Sequence, residues 1–146
     1  MHTSETVREL MFQILRTRMA FRQGVQKALK TNDTEMTFEM LQVMSRLWAQ
    51  QGVSQQLLAE QTAKDKTCMT NLINNLERKG WVVRREDPSD RRNRLIFLTP
   101  EGEATARIVR PVLQAFYQSV ANQTDEAELR RCFEILAGVE KAMNTL

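Results

Sequence analysis

The chain has 146 residues, 42% of them hydrophobic and 27% charged, with a formal net charge of +3, two cysteines and one histidine. A chain of this length buries roughly two-thirds of the surface it exposes when unfolded, so it needs no disulfide or structural metal to fold. His2 stands alone near the N-terminus, and Cys68 and Cys132 lie far apart, so neither metal-ligand spacing nor a catalytic set is present, no cofactor is expected, and enzymatic chemistry is not indicated. No apolar run is long enough to span a bilayer, so no membrane partner is expected, and the expected compartment is a reducing cytoplasm.

Apolar residues at three- and four-residue steps predict a first helix from Thr6 to about Lys30, with Val7, Leu10, Met11, Ile14, Leu15, Met19, Val25 and Leu29 on one side. Thr31 to Thr34 break that pattern. Thr37 reads as the N-cap of a second helix carrying Phe38, Leu41, Met44, Leu47 and Trp48, with Gly52 as its C-terminal stop. Ser54 caps a short third helix whose buried side is Leu57 and Leu58. Ala63-Lys64-Asp65 forms a turn, and Asp65 caps the fourth helix.

In that fourth helix Met69, Leu72, Ile73 and Leu76 make one apolar stripe. At about 100° per residue, Thr67, Asn71 and Asn74 point away from it and Thr70 flanks it. Threonine and asparagine are poor helix formers, and an exposed face selected for solubility favours Glu and Lys. Their accumulation predicts a surface that reads something.

Gly80 closes the helix. Trp81-Val82-Val83 and Leu95-Ile96-Phe97-Leu98 are of strand length and composition, and Asp87-Pro88-Ser89-Asp90 between them is dense in turn formers. The result is a hairpin with an arginine-rich tip. From Arg78 to Arg94 seven basic residues face three acids, a local net +4 within a chain of +3. The excess is therefore local, the footprint of a phosphate-facing surface.

Thr99-Pro100-Glu101 starts a fifth helix with Ala104, Ile108, Val112, Ala115, Phe116 and Val120 on its apolar side and Pro111 as a kink. Thr124-Asp125-Glu126 caps the last helix, lined by Leu129, Phe133, Leu136, Val139 and Met143, with Cys132 expected in the core beside them. The predicted fold is mainly α with a small β-hairpin. It places a winged helix-turn-helix at 37–99 between an N-terminal helix (1–36) and C-terminal helices (100–146). These long terminal helices exceed what the central unit needs, and are expected to interlock two copies in a symmetric dimer.

Leu76-Glu-Arg-Lys-Gly-Trp-Val-Val-Arg-Arg85, followed by Asp87-Pro-Ser-Asp-Arg-Arg92 running into Leu98-Thr-Pro-Glu-Gly102, resembles the MarR family of transcriptional regulators over nearly the whole chain. The resemblance implies a cytoplasmic homodimer that binds an inverted repeat in double-stranded DNA. It also implies a repressor, less often an activator, released by an oxidant or by a small effector of aromatic or amphipathic type. No residue is assigned to an effector, though Met11, Met40 and Met44 could line a plastic pocket.

Carried over by position, Asp90 braces the wing by bonding Arg92, and Arg92 enters the minor groove, whose negative potential draws arginine. Arg91 and Arg94 meet phosphates or the groove edge. Thr67, Thr70 and Asn71 face base edges, and Ser54 and Gln55 anchor a phosphate at a helix N-terminus. Lys66, Asn74 and Asn75 complete the expected DNA-facing set. Many relatives carry Arg in place of Asn71 and of Asn75, and Asn pairs best with adenine. Two other readings stand beside this one. One is a thiol-based switch through Cys68, next to Lys66 near a helix start, although the oxidation-sensing branch uses a cysteine in the first helix, which is absent here. The other is a winged helix that binds protein rather than DNA.

Overall fold

Five helices start where a side-chain oxygen can fold back onto a free first-turn amide. Thr37 accepts from Met40, Ser54 from Leu57, Asp65 from Cys68, Thr99 from Gly102 and Asp125 from Glu128. Each bond satisfies one of the amides that a helix leaves unpaired at its start. The computed structural model describes residues 2–146. In chain order, α1 covers His2–Thr31, α2 Phe38–Ala49, β1 Val53–Ser54, α3 Gln55–Gln61 and α4 Lys66–Arg78. β2 then covers Val82–Asp87, β3 Asp90–Leu98, α5 Pro100–Ala121 and α6 Glu126–Asn144.

The strands form an antiparallel sheet in the order β1-β3-β2. β1 is a two-residue addition to the expected hairpin, pairing Val53 with Ile96 and Ser54 with Leu95. β2 and β3 both run well past their apolar segments toward the tip. The core is built from Val25 and Leu29 of α1, Leu41, Met44 and Leu47 of α2, Leu58 of α3, the stripe of α4, Val82, Ile96 and Val109.

Several expectations are corrected. α1 begins at His2 rather than Thr6, and of its apolar face only Val25 and Leu29 are buried. Helix α2 ends at Ala49 with Gln50 as its cap, so Gly52 is not its stop. Gly52 lies in the turn into β1, where its amide donates to the Ile96 carbonyl at 2.7 Å. Leu57 is exposed, because seven-residue α3 turns only Leu58 fully into the core. Cys132 is exposed, since α6 has no buried residue within the chain. Met40 and Met44 belong to the core, and Met11 is half-buried on α1. Pro111 sits inside α5 without ending it.

The junction between α4, the wing and α5 is closely specified. Gly80 takes φ +77°, its amide donates to Glu77 O at 2.9 Å, and Trp81 donates to Leu76 O at 3.0 Å. That paired arrangement satisfies the last carbonyls of α4 and turns the chain at once into β2. The Trp81 carbonyl then accepts from Thr99 at 3.0 Å, and the Thr99 hydroxyl donates to Gly80 O at 2.5 Å. Gly102 lies directly against this point. A Cβ on it would stand 2.0 Å from the Trp81 oxygen, while the Gly102 carbonyl accepts from the Trp48 indole at 3.0 Å. Gly102→Ala is therefore expected to destabilise the chain by about 1–3 kcal/mol or more through overpacking against fixed backbone. Denaturant unfolding measures it, and an unchanged midpoint would mean that α5 can lift off the wing root freely.

Candidate nucleic-acid interface

Burial of Met69, Leu72, Ile73 and Leu76 fixes which side of α4 faces outward. Lys66, Thr67, Asn71 and Asn74 are exposed there, with Thr70 and Asn75 half-buried at its edges. Their hydrogen bonds divide them. The Thr70 hydroxyl donates to Lys66 O at 2.9 Å and accepts from Gln55 Nε2 at 2.9 Å. The Asn74 amide oxygen accepts from Arg84 at 2.8 Å, and that of Asn75 accepts from Arg78. Bidentate recognition of adenine needs the amide oxygen and nitrogen of one asparagine together. Of the three asparagines on α4, Asn71 alone has both groups free of partners among the described residues.

Arg84 is the centre of that division. It stands two residues beyond buried Val82 on β2, on the same inward side of the strand. Its guanidinium donates to Gln55 Oε1 at 3.3 Å, Asn74 Oδ1 at 2.8 Å and Thr70 O at 3.3 Å, and pairs with Glu77. It thus joins the wing root, the start of α3 and the middle of α4. Both Arg84 and Glu77 stand in the Leu76–Arg85 motif, and Arg84 also in the charge run, but the sequence assigned neither of them a role. The available signal was an arginine at an inward strand position, where an apolar residue is the rule.

The wing tip is bent rather than regular. Glu86 pairs with Arg94 and Asp87 with Asp90, so Arg91, Arg92 and Asn93 have no register partners on β2. Such an irregularity re-aims side chains out of the ladder. Two acids hold it. Asp87 accepts from the Ser89 hydroxyl at 2.7 Å, the Ser89 amide at 2.9 Å and Asn93 at 3.3 Å. Asp90 accepts at 3.0 Å from the backbone amide of Arg92, so the bond between these two residues runs through the main chain. Arg91 and Arg92 are exposed and their guanidinium groups meet no protein partner, whereas Arg94 pairs loosely with Glu86 at 3.7 Å. A cleft of about 580 Å³ between α3, the start of α4 and β3 brings Lys64, Lys66, Arg92 and Arg94 together, with Glu60 as its acidic member. Ser54 stands at the start of α3, its oxygen accepting from Leu57 at 3.0 Å and its proton left to donate. Cys68 is exposed on the first turn of α4.

The arrangement is a helix with a free polar face and two free arginines beside it. The sequence model of the MarR family matches residues 37–93, from the cap of α2 through β2 and into the first residues of β3. A Thauera aromatica protein provisionally named as the transcriptional regulatory protein for the hcr operon is 36% identical over 109 residues, 73% of this chain. The matched stretch spans 64% of that relative's length. The MepR–DNA complex of S. aureus superimposes with a TM-score of 0.74 at 26% identity, covering 94% of this chain and 97% of that one. CouR from Rhodococcus jostii RHA1, bound to p-coumaroyl-CoA, gives 0.77 at 27% identity, covering 89% and 90%.

Residues 37–93 of this chain are a MarR-family unit. That family is one of transcription regulators, not of enzymes. Within its MarR-family wing, the bonds from Ser89 hold the Asp87 carboxyl below the ordinary aspartate range. A carboxylate lowered in this way contributes order above its unfolded pKa, and that order is lost as pH falls through the folded value. Amide exchange followed by NMR should therefore show Ser89 protected at neutral pH and released below the ordinary aspartate range. Asp87→Ala should release it at every pH while leaving α4 protected. Ser89 protection that ignores both changes would show that Asp87 does not hold the tip.

Proposed function

We propose that this chain is a sequence-specific DNA-binding regulator of transcription. It acts in the cytoplasm as a homodimer on an inverted repeat, as a repressor released by a small aromatic or amphipathic ligand. The observation that carries the reading is the exposed face of α4, where Thr67 and Asn71 have no protein partner, set beside the unpaired Arg91 and Arg92. Polar groups left free on a helix face cost little in water and gain in a groove lined with donors and acceptors. In this reading α4 lies in the major groove with Thr67 and Asn71 at base edges. Arg92 enters the minor groove, while Lys66, Arg91, Arg94 and Ser54 meet phosphates. The MepR complex supports the DNA part of the reading, and the CouR complex supports the ligand part.

The dimer rests on surface that one copy leaves bare. Leu15 and Met19 on α1 are each 61% exposed and Phe133 on α6 is 75% exposed, with Phe12, Tyr117 and Val120 also open. Large apolar side chains left open on α1, α5 and α6 are the material of an association surface. The reading head is 37–99, and the arms at 1–36 and 100–146 form the dimer. A two-fold axis then sets the half-site centres about one helical turn, roughly 10 base pairs, or a multiple of it apart. Sedimentation is expected to give a dimer at micromolar concentration, and scrambling one half-site is expected to weaken binding strongly. A monomer indifferent to that scrambling would overturn the reading.

Arg92→Ala tests the wing separately. Losing one phosphate or groove contact should weaken operator binding and reduce the salt-dependence slope by about one unit. Wild-type affinity with a wild-type slope in a fluorescence titration would place Arg92 outside the DNA.

A further inference from the structure

We propose that Arg84 is a positioning residue that decides which side chains of α4 read bases. The inference rests on the DNA reading proposed above and goes one step further. Five polar side chains approach the reading face from α3 and α4: Gln55, Thr67, Thr70, Asn71 and Asn74. Arg84 takes the amide oxygens of two of them, Gln55 at 3.3 Å and Asn74 at 2.8 Å. Gln55, fixed by its oxygen, then spends its amide nitrogen on the Thr70 hydroxyl at 2.9 Å. That hydroxyl has already given its one proton to Lys66 O. Thr67 and Asn71 remain free.

The chemistry of the guanidinium suits this role. It presents its donors in one rigid plane, so a single side chain can hold an acceptor on α3, two on α4 and the carboxylate of Glu77 at once. Glu77 fixes the plane, because its charge pairs with a side chain that is only 19% exposed. An ammonium in its place would offer a point charge without the fork. The network also ties α4 to β2 directly. β2 is in turn hydrogen-bonded along its length to β3, the strand that carries Arg91 and Arg92.

A merely structural Arg84 and a positioning Arg84 differ in what they do to base preference. A structural role, once lost, weakens binding to every sequence alike. A positioning role, once lost, returns Gln55 and Asn74 to the groove with hydrogen-bonding groups to spend.

The test is a binding selection on randomised duplexes with the full chain, scored position by position. Asn71→Ala is expected to lose preference at one position of each half-site by roughly tenfold or more. Thr70→Val and Asn74→Ala are expected to keep the wild-type preference throughout, since the Thr70 proton and the Asn74 oxygen are already engaged and bidentate readout needs the amide oxygen and nitrogen together. Arg84→Met keeps most of the stem, loses every donor, and is expected to change preference. Adding Asn74→Ala to Arg84→Met is then expected to change it again, because Arg84 no longer holds the Asn74 oxygen. A changed preference in Thr70→Val or Asn74→Ala alone overturns the assignment, and so does an Arg84→Met chain that binds more weakly with its preference intact. If Arg84→Met does not fold, the two single variants decide. A wild-type chain that selects no motif at all is a different result, which removes the DNA reading and this assignment together.

Discussion

Four side chains on one stripe of α4 orient everything around them. Met69, Ile73 and Leu76 are fully buried and Leu72 nearly so. Each is worth about 1.5–3 kcal/mol when taken out of water. Rotating the helix by a single residue would exchange this stripe for polar groups that have no partners inside. The opposite face is therefore fixed by exclusion, and Thr67 and Asn71 point outward because they cannot do otherwise. The same burial fixes where the helix ends. Gly80 reverses the chain under Leu76, and Val82 enters the core beside the helix it has just left. Two residues later Arg84 has no position but one along the flank of α4.

The arginines of the wing show how register turns one residue type into several parts. Arg84 lies inward on β2 and is consumed by protein acceptors. Arg85, the next residue, faces the other side and lies over the Phe97 ring at 5.0 Å. Arg94 sits in the regular ladder opposite Glu86 and pairs with it. Arg91 and Arg92 fall in the irregular tip, where no opposing strand residue can neutralise them. The local excess of charge is thus sorted by backbone geometry, and the free part of it ends up at the tip, beside the cleft at the start of α4.

What was legible in the sequence follows the same physics. Helix starts could be read because an N-cap is a local interaction between residues three apart, and all five capped starts are where Thr37, Ser54, Asp65, Thr99 and Asp125 place them. The stripe of α4 and the turn at Asp87 to Asp90 were legible for the same reason. Hidden from the sequence were contacts between distant segments. Strand β1 exists only because Val53 meets Ile96, 43 residues away. Leu57 and Cys132 look like core from periodicity alone, yet neither helix brings them against a second surface within the chain. At the candidate site the reading face was visible as a run of Thr and Asn. Which members of it are free depended on Arg84, whose four partners lie between 7 and 29 residues away.

Burial is unevenly shared between head and arms, and that has a consequence for the proposed release by a ligand. The head is tied through side chain and main chain at Gly80 and Arg84, and the first turn of α5 is tied to it at Gly102. The arms reach it through Val25, Leu29 and Val109 in the shared core and through contacts nearer the surface. Arg22 of α1 donates two bonds to Glu39 of α2, at 3.0 and 2.6 Å. Phe21 packs edge-on against Phe38 at 5.4 Å and stacks on Tyr117 of α5 at 6.4 Å. A ligand shifts an equilibrium only to the extent that it binds two states differently. In the proposed dimer two such states would differ in the angle between head and arm, where Arg22 and Phe21 of α1 meet Glu39 and Phe38 of α2. A small change there is multiplied by the length of the arms into the spacing of two reading heads, while DNA tolerates only spacings that match its helical turn.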